Sequence, residues 1–189
     1  MNDNYGEDIL TILNKKRFIK QWINGKYKEK SISIYGSDGI GKSYLSEYIL
    51  KDFVVIKIDI ESCKKLHCLE DYLKLSLYKK SITMMFDKDT RTKALIFDDL
   101  KYIHTNDKIL FKQIVDFSKK QCNFPVIYIF ENTINKNFKI IYKHCFPINL
   151  TLQTFHIKTL LNKYYNVKDI NIDELIKKSS SNFHSIKIN

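Results

Sequence analysis

The chain has 189 residues, a length typical of one domain with at most a small appendage. Its 44% hydrophobic and 13% aromatic content is enough to bury a core, and no apolar run approaches the ~20 residues of a membrane helix. The first eight residues are acidic and lack the basic and apolar regions of a secretion signal, which predicts an intracellular protein that does not act at a membrane.

The formal net charge of +11 predicts a polyanionic partner. Of the 32 basic residues, 30 are lysines and only Arg17 and Arg91 are arginines. Such a bias is typical of an AT-rich coding genome, which raises the lysine content whatever the function. A basic surface still attracts phosphate backbones whatever its origin, so the composition favours proximity to nucleic acid.

The first predicted elements are a long helix, a strand and a second helix. Residues 7–24 form an amphipathic pattern that ends at Gly25, and its apolar positions are Ile9, Leu10, Leu13, Phe18 and Trp22. A lysine-rich segment, residues 26–30, leads into a predicted strand over 31–35, and a helix follows over 44–50.

Apolar strands then alternate with helices along the rest of the chain. The predicted strands are 53–60, 93–100, 125–132 and 146–150, and the predicted helices are 66–80, 106–121, 134–143, 153–165, 171–180 and one that begins at 182. Within 106–121, the core positions are predicted to be Ile109, Leu110, Ile114 and Phe117.

This alternation predicts an α/β fold, a five-stranded parallel sheet sandwiched by helices. Residues 1–150 would form the α/β domain, and residues 151–189 a short, incomplete α-helical lid. In such sheets, ligands bind at the carboxyl ends of the strands.

The segment between the first strand and its helix fits the pattern G-x-x-x-x-G-K-[ST] of a phosphate-binding loop. It consists of Gly36, Ser37, Asp38, Gly39, Ile40, Gly41, Lys42 and Ser43. Backbone N–H groups at a helix N-terminus bind phosphates, Lys42 would reach the β- and γ-phosphates of ATP, and Ser43 would hold Mg²⁺. The alternative is a chance glycine-rich turn.

Three polar residues follow two other strands. Asp98 comes after four apolar residues and would bind Mg²⁺ beside Ser43, while Asp99 would orient or deprotonate an attacking water. Asn132 would hold that water or touch the γ-phosphate. The alternatives are a solvated turn at the strand end for the two acids and a helix cap for Asn132.

Together these motifs resemble the AAA+ P-loop ATPases, and among them the large subunit of the replication factor C clamp loaders. Residues 93–100 look like the family's Walker B strand with Asp99 in place of glutamate, and residues 124–132 look like the sensor-1 strand ending at Asn132. Residues 142–150 lack the arginine that the small subunits carry near this place, which favours the large subunit.

The resemblance implies an ATP- and Mg²⁺-dependent protein of a DNA-replication compartment such as the nucleus. Its implied partners are other clamp-loader-like subunits, a sliding clamp, and primed or double-stranded DNA bound through the phosphate backbone. Clamp-binding anchors would be Ile82, Met85 and Phe86, although the alternative, a helix core facing the sheet, is favoured because periodic apolar residues are usually core. The family's sensor-2 arginine falls near His184.

Four functions remain open from the sequence. The first is a clamp-loader-like ATPase module, and the second is an initiator or helicase-loader relative, for which two consecutive aspartates are no departure. The third is a P-loop nucleoside or nucleotide kinase, which the scarcity of arginines disfavours. The fourth is a subunit that binds ATP without hydrolysing it, because Asp99 is one methylene shorter than glutamate and a misplacement of about 1 Å costs on the order of 10²-fold in rate.

Overall fold

The computed structural model of the chain describes residues 4–59, 62, 68–78, 91–131 and 136–165. Within these residues, five strands form one parallel sheet with the order β2-β3-β4-β1-β5. The strands are β1 (Ser31–Tyr35), β2 (Val54–Ile58), β3 (Lys93–Phe97), β4 (Val126–Phe130) and β5 (Phe146–Asn149). The predicted five-stranded parallel sheet is therefore confirmed.

Helices connect the strands and cover both faces of the sheet. In the described part of the chain they are α1 (Asn4–Ile12), α2 (Lys16–Ile23), α3 (Lys42–Ile49), α4 (Leu69–Leu73), α5 (Leu100–Asn106), α6 (Lys108–Ser118), α7 (Lys136–Lys143) and α8 (Thr154–Tyr165). The segment Lys74–Tyr78 continues α4 as a π-helical turn. Among the described residues, no helix is long and apolar enough to cross a membrane.

Two apolar clusters, one on each face, hold the three layers together. One face packs against α1, α2, α3 and α8, and the other against α4, α5, α6 and α7. Strand β3 shows why both faces are apolar, because Ala94 and Ile96 belong to the first cluster while Leu95 and Phe97 belong to the second. Because the strands are buried on both faces of the sheet, their sequences are almost continuously apolar.

The prediction of a single helix over residues 7–24 is wrong, since the chain forms α1 and α2 with a break between them. Asn14 has φ of 53°, its N–H bonds to Thr11 O, and the N–H of Lys15 bonds to Leu10 O. This is the hydrogen-bond pattern of a Schellman motif, and asparagine tolerates the left-handed backbone that it needs. Gly25, with φ of 73°, ends α2 in the same way.

The helix predicted over 106–121 is found as the single helix α6, and a helix that was not predicted, α5, comes before it. Asp107 starts α6 by accepting a hydrogen bond from the N–H of Leu110. Ile109 is 75% exposed, so its predicted place in the core is wrong, while Leu110 and Ile114 are buried as predicted. The helices predicted over 171–180 and from 182 lie outside the described residues.

Candidate nucleotide-binding site

The predicted phosphate loop joins the carboxyl end of β1 to the first residue of α3. Gly39 and Gly41 have φ of 69° and 94°, a left-handed backbone that side chains resist. A Cβ atom at Gly36 would lie 2.4 Å from the carbonyl oxygen of Leu150, so this glycine is required by close packing against the chain after β5. The glycines of the loop are therefore required for two reasons, a left-handed backbone at Gly39 and Gly41 and close packing at Gly36.

Lys42 folds back over the loop and is only 10% exposed at its side chain. Its ammonium group donates hydrogen bonds to Gly36 O at 3.0 Å and Ser37 O at 2.8 Å. Asp38 Oδ1 lies 3.6 Å from the same ammonium group, yet the Asp38 side chain is 68% exposed. An anion bound by Lys42 would therefore lie close to the Asp38 carboxylate, which is largely exposed to solvent.

Asp98, at the end of β3, is 3% exposed and both of its carboxylate oxygens have partners. Oδ1 accepts the N–H of Asp99 at 2.9 Å, and Oδ2 lies 3.0 Å from the ammonium group of Lys57. The backbone N–H of Asp98 bonds to Ile58 O on the neighbouring strand β2. These contacts fix the carboxylate at the edge of the sheet where β1 and the phosphate loop also end.

Lys57 is a site residue that the sequence reasoning missed. It lies on β2, and its ammonium group also approaches Glu47 of α3 at 3.4 Å. Partial burial alone would lower the pKa of Lys57, but the hydrogen bond and charge of Asp98, followed by Glu47, raise it above the ordinary value. The sequence did contain one indication of this role, because Lys57 is a lone charged residue inside an otherwise apolar strand.

Asp99 follows directly and has φ of 50°, a left-handed conformation at the start of α5. Its side chain faces solvent, in contrast to that of Asp98. Partial desolvation by the surrounding protein raises the pKa of Asp99, and the negative charge of Asp98 raises it further. A carboxyl group with a raised pKa binds a proton more readily than an ordinary aspartate, as a catalytic base must.

A cavity of about 500 Å³ joins these groups. Its lining includes Asp38, Lys42, Ser43, Asp98, Asp99 and Glu131. Glu131, which follows β4 and pairs with Lys101, was also missed from the sequence. The structure thus brings the loop and both aspartates to one place, with Ser37 at the exposed surface and Ile40 buried in the core.

Several predicted site residues lie outside the described residues: Asn132, Ile82, Met85, Phe86 and His184. For Asn132 only the strand that leads to it is described. That strand, β4, lies between β1 and β3, so it ends between the phosphate loop and Asp98. The sensor role of Asn132 stays a prediction, as do the clamp-binding and sensor-2 roles.

The side chains present fit a Mg²⁺ ion bound together with a nucleotide. Ser43 offers a hydroxyl and Asp98 a carboxylate, and both line the same cavity. Each carboxylate oxygen has two acceptor sites, so one site on each remains after the contacts to Lys57 and the N–H of Asp99. Two protein oxygens, with water and phosphate supplying the rest, are the usual way in which proteins hold Mg²⁺.

No protein-family model matches the chain, and no curated protein sequence matches it either. Solved structures do match in fold. A chain of Drosophila ORC bound to DNA has a TM-score of 0.51 at 11% identity, covering 87% of this chain and 50% of that one. The S. cerevisiae Hsp104–ADP complex has a TM-score of 0.54 at 15% identity, covering 88% and 27%.

A further Hsp104 structure, with ATPγS and FITC-casein, has a TM-score of 0.50 at 15% identity and covers 78% of this chain and 28% of that one. The chain therefore spans half or less of the proteins it resembles. These neighbours are AAA+ ATPases, and the five-stranded parallel sheet with its flanking helices matches theirs. This chain therefore shares the α/β fold of these neighbours.

Proposed function

We propose that this chain is the nucleotide-binding module of an AAA+ ATPase and that it binds ATP with Mg²⁺ in the cavity beside the phosphate loop. The observation that carries this proposal is that Lys42 and Ser43, at the N-terminus of α3, share one cavity with the buried Asp98. Lysine, backbone N–H groups and the helix dipole bind phosphate oxygens. Lys42 would exchange its two carbonyl partners for the β- and γ-phosphates.

The same residues support hydrolysis at a limited rate. Mg²⁺ bound by Ser43 and Asp98 would neutralise charge on the phosphates. Asp99 would accept a hydrogen bond from the attacking water, and the ammonium group of Lys57 holds the Asp98 carboxylate in place. Because Asp99 is shorter than glutamate, we propose slow turnover that a neighbouring subunit's arginine would accelerate.

Binding of a fluorescent ATP analogue, followed by anisotropy in Mg²⁺, tests the site. We expect Lys42→Ala to weaken binding at least tenfold, since it removes a charge-assisted contact to phosphate. Lys112→Ala is the matched control, because Lys112 is an exposed lysine of α6 that does not line the cavity. Equal affinity in the wild type and Lys42→Ala, with both folded by circular dichroism, would refute the proposal.

Within this class we propose a clamp-loader-like role in DNA replication, with a sliding clamp, related AAA+ subunits and DNA as partners. Its support is the likeness of residues 93–100, 124–132 and 142–150 to the large subunit of replication factor C. Purified sliding clamp should bind the immobilised chain. The double variant Ile82→Ala/Phe86→Ala should lose that binding without unfolding, and unchanged clamp affinity would sink this role.

An initiator or helicase-loader role is the second candidate. The pair Asp98 and Asp99 is no departure for that group, and one structural neighbour is ORC bound to DNA. A pull-down that recovers a replicative helicase rather than a clamp would favour it. Phosphate transfer to nucleosides by the pure protein would instead support the kinase alternative. Tight ATP binding without turnover, alone or with partners, would support the non-hydrolysing subunit.

A further inference from the structure

Lysine-bearing segments precede three neighbouring strands of the sheet. Residues 26–30 lead into β1, residues 119–122 lie shortly before β4, and residues 143–145 lead into β5. Strand β1 lies between β4 and β5, and all three are parallel. The three segments therefore meet at the amino edge of the sheet, opposite the phosphate loop.

An open groove of about 490 Å³ lies at this edge, and we call it the amino-edge groove. Its fourteen lining residues include five lysines and one acid, Glu29. In the whole chain 30 of 189 residues are lysines, so the groove holds more than twice the average share. The acids do not rise together with the lysines, since one acid among the fourteen lining residues compares with 21 among the 189 residues of the chain.

The positive charge of the groove is only partly offset. Lys119 pairs with Asp116 at 2.7 Å, Glu29 removes one further charge, and the C-terminal ends of α6 and α7 carry about half a negative charge each. About two positive charges remain after these offsets. Lys28, Lys120 and Lys143 are free of ion pairs to any carboxylate in the described part of the chain, and all three are exposed.

We propose that the amino-edge groove binds the backbone phosphates of a nucleic-acid strand. Phosphates need only positive charges and hydrogen-bond donors, and the groove supplies both, with Ser31, Gln121 and His144 beside the lysines. An acidic protein partner would also need an apolar anchor site. Among the described residues, the lining contains no Leu, Ile, Met or Trp, and the large apolar side chain of Phe146 stacks on Phe18.

This site deepens the DNA-binding part of the proposed function but shares no residue with the ATP cavity. The two lie at opposite ends of β1, whose five residues span roughly 16 Å. A nucleic-acid strand at the amino-edge groove therefore leaves the phosphate loop free. Loss of one kind of binding need not accompany loss of the other, which makes the two proposals separately testable.

Fluorescence anisotropy with labelled 20-nucleotide strands tests the groove in three forms: single-stranded DNA, duplex DNA and single-stranded RNA. The groove variant is Lys28→Gln/Lys120→Gln/Lys143→Gln. The control variant, Lys108→Gln/Lys112→Gln/Lys136→Gln, has the same net charge but changes exposed lysines of α6 and α7 that do not line the groove. The form bound most tightly identifies the nucleic acid that the groove prefers.

At low salt we expect the groove variant to bind at least tenfold more weakly and the control less than threefold more weakly. The logarithm of the association constant falls linearly with the logarithm of the salt concentration. The magnitude of this slope should be smaller by about 2 in the groove variant, since each lost phosphate contact removes roughly 0.7–0.9 from it. Equal losses in the two variants would overturn the proposal. A competition experiment would overturn it too. If polyglutamate displaced the labelled strand as effectively as an unlabelled oligonucleotide of equal charge, the groove would fit an acidic protein partner instead.

Measuring the affinity for the ATP analogue in the same variants tests the groove proposal separately from the ATP proposal. The groove variant should bind the fluorescent ATP analogue as the wild type does, which also shows that it is folded. Lys42→Ala should keep its oligonucleotide affinity. If Lys42→Ala lost oligonucleotide binding as completely as the groove variant, nucleic acid would bind at the phosphate loop and the amino-edge groove would be wrong.

Discussion

At the scale of single residues, two hydroxyl groups in the centre of the sheet are buried without a hydrogen-bond partner among the described residues. They belong to Ser33 and Tyr128, which lie directly opposite each other on β1 and β4. Burial raises the pKa of Tyr128 well above its ordinary value, so the phenol stays protonated. A buried hydroxyl without a partner costs folding free energy.

We therefore expect Tyr128→Phe to raise the free energy of unfolding by about 1 kcal/mol, because it removes only the unsatisfied group. Urea denaturation measures this change. Ser33→Ala is the companion variant and should also be neutral or stabilising, although it leaves a smaller side chain. A loss of stability in Tyr128→Phe would show that the hydroxyl does have a partner, such as a buried water.

Asp99 is the second residue for which a single substitution is informative. Its φ of 50° and its proximity to Asp98 are both unfavourable, and asparagine tolerates that backbone without the charge. We expect Asp99→Asn to increase stability by about 0.5 kcal/mol at pH 7 and to lower ATP turnover. Because the pKa of Asp99 is raised, this gain should shrink as the pH falls and Asp99 becomes protonated.

Thermal unfolding would measure the gain in stability, and phosphate release would measure the loss of ATP turnover. Asp116→Asn serves as a surface control. Asp116 is an aspartate of α6 that pairs with Lys119, away from the cavity. An Asp99→Asn variant that is less stable and fully active would contradict the role of Asp99 as a strained catalytic residue.

At the scale of elements, the carboxylate of Asp8 links α1 to α8. Asp8 of α1 accepts hydrogen bonds from Lys163 at 2.6 Å and from Tyr164 at 2.5 Å, 155 and 156 residues further along the chain. Ile157 and Leu160 of α8 are buried in the same cluster as Ile9. The first described residues of the predicted lid therefore pack against the α/β core, while the division of the chain at residue 150 stays a prediction.

Partial burial alone would raise the pKa of Asp8, but the hydrogen bonds from Lys163 and Tyr164 outweigh it and hold the pKa below its ordinary value. A lowered folded-state pKa stabilises the protein at a pH above the ordinary value, and this contribution disappears as the pH falls through the folded-state pKa. The contact between α1 and α8 should thus weaken in acid.

We expect Asp8→Asn to lose about 1 kcal/mol of stability at pH 7 and to match the wild type only when the pH has fallen below the lowered folded-state pKa of Asp8. Unfolding in urea at several pH values measures this, and Tyr164→Phe should lose part of the same free energy. Combining the two substitutions should give less than the sum of the single losses, because both remove one shared contact. Full additivity would mean that Asp8 and Tyr164 act independently.

At the scale of the whole molecule, charge differs between the two edges of the sheet. The cavity at the carboxyl edge is lined by four acids and two lysines, whereas five lysines and one acid are the charged residues that line the amino edge in the described part of the chain. With a net charge of +11, the lysines of the amino-edge groove repel one another and the rest of the chain. Bound polyanion or salt would relieve that repulsion.

The groove variant should consequently be more stable than the wild type in 20 mM salt. The difference should vanish near 1 M salt, where the Debye length is about 3 Å. Thermal unfolding across a salt series measures it without any ligand. A groove variant that is less stable at low salt would show that carboxylates already neutralise these lysines.

Much of the fold was predictable from local sequence. Apolar runs such as Ala94–Phe97 and Val126–Phe130 predicted strands buried on both faces, and the phosphate-loop pattern lay between a predicted strand and a predicted helix. The break at Asn14 was not predicted, because one hydrogen-bonded turn can divide a continuous apolar pattern. The exposure of Ile109 was not predicted either.

The sequence by itself therefore determined the apolar strands, the phosphate-loop pattern and the two aspartates at a strand end, since each depends on neighbours within a few residues. Only the tertiary structure decided that Lys57 lies beside Asp98, 41 residues away in the chain, and that three separate lysine segments form one groove. Strand order sets these contacts, and strand order follows from how the helices pack on the two faces of the sheet.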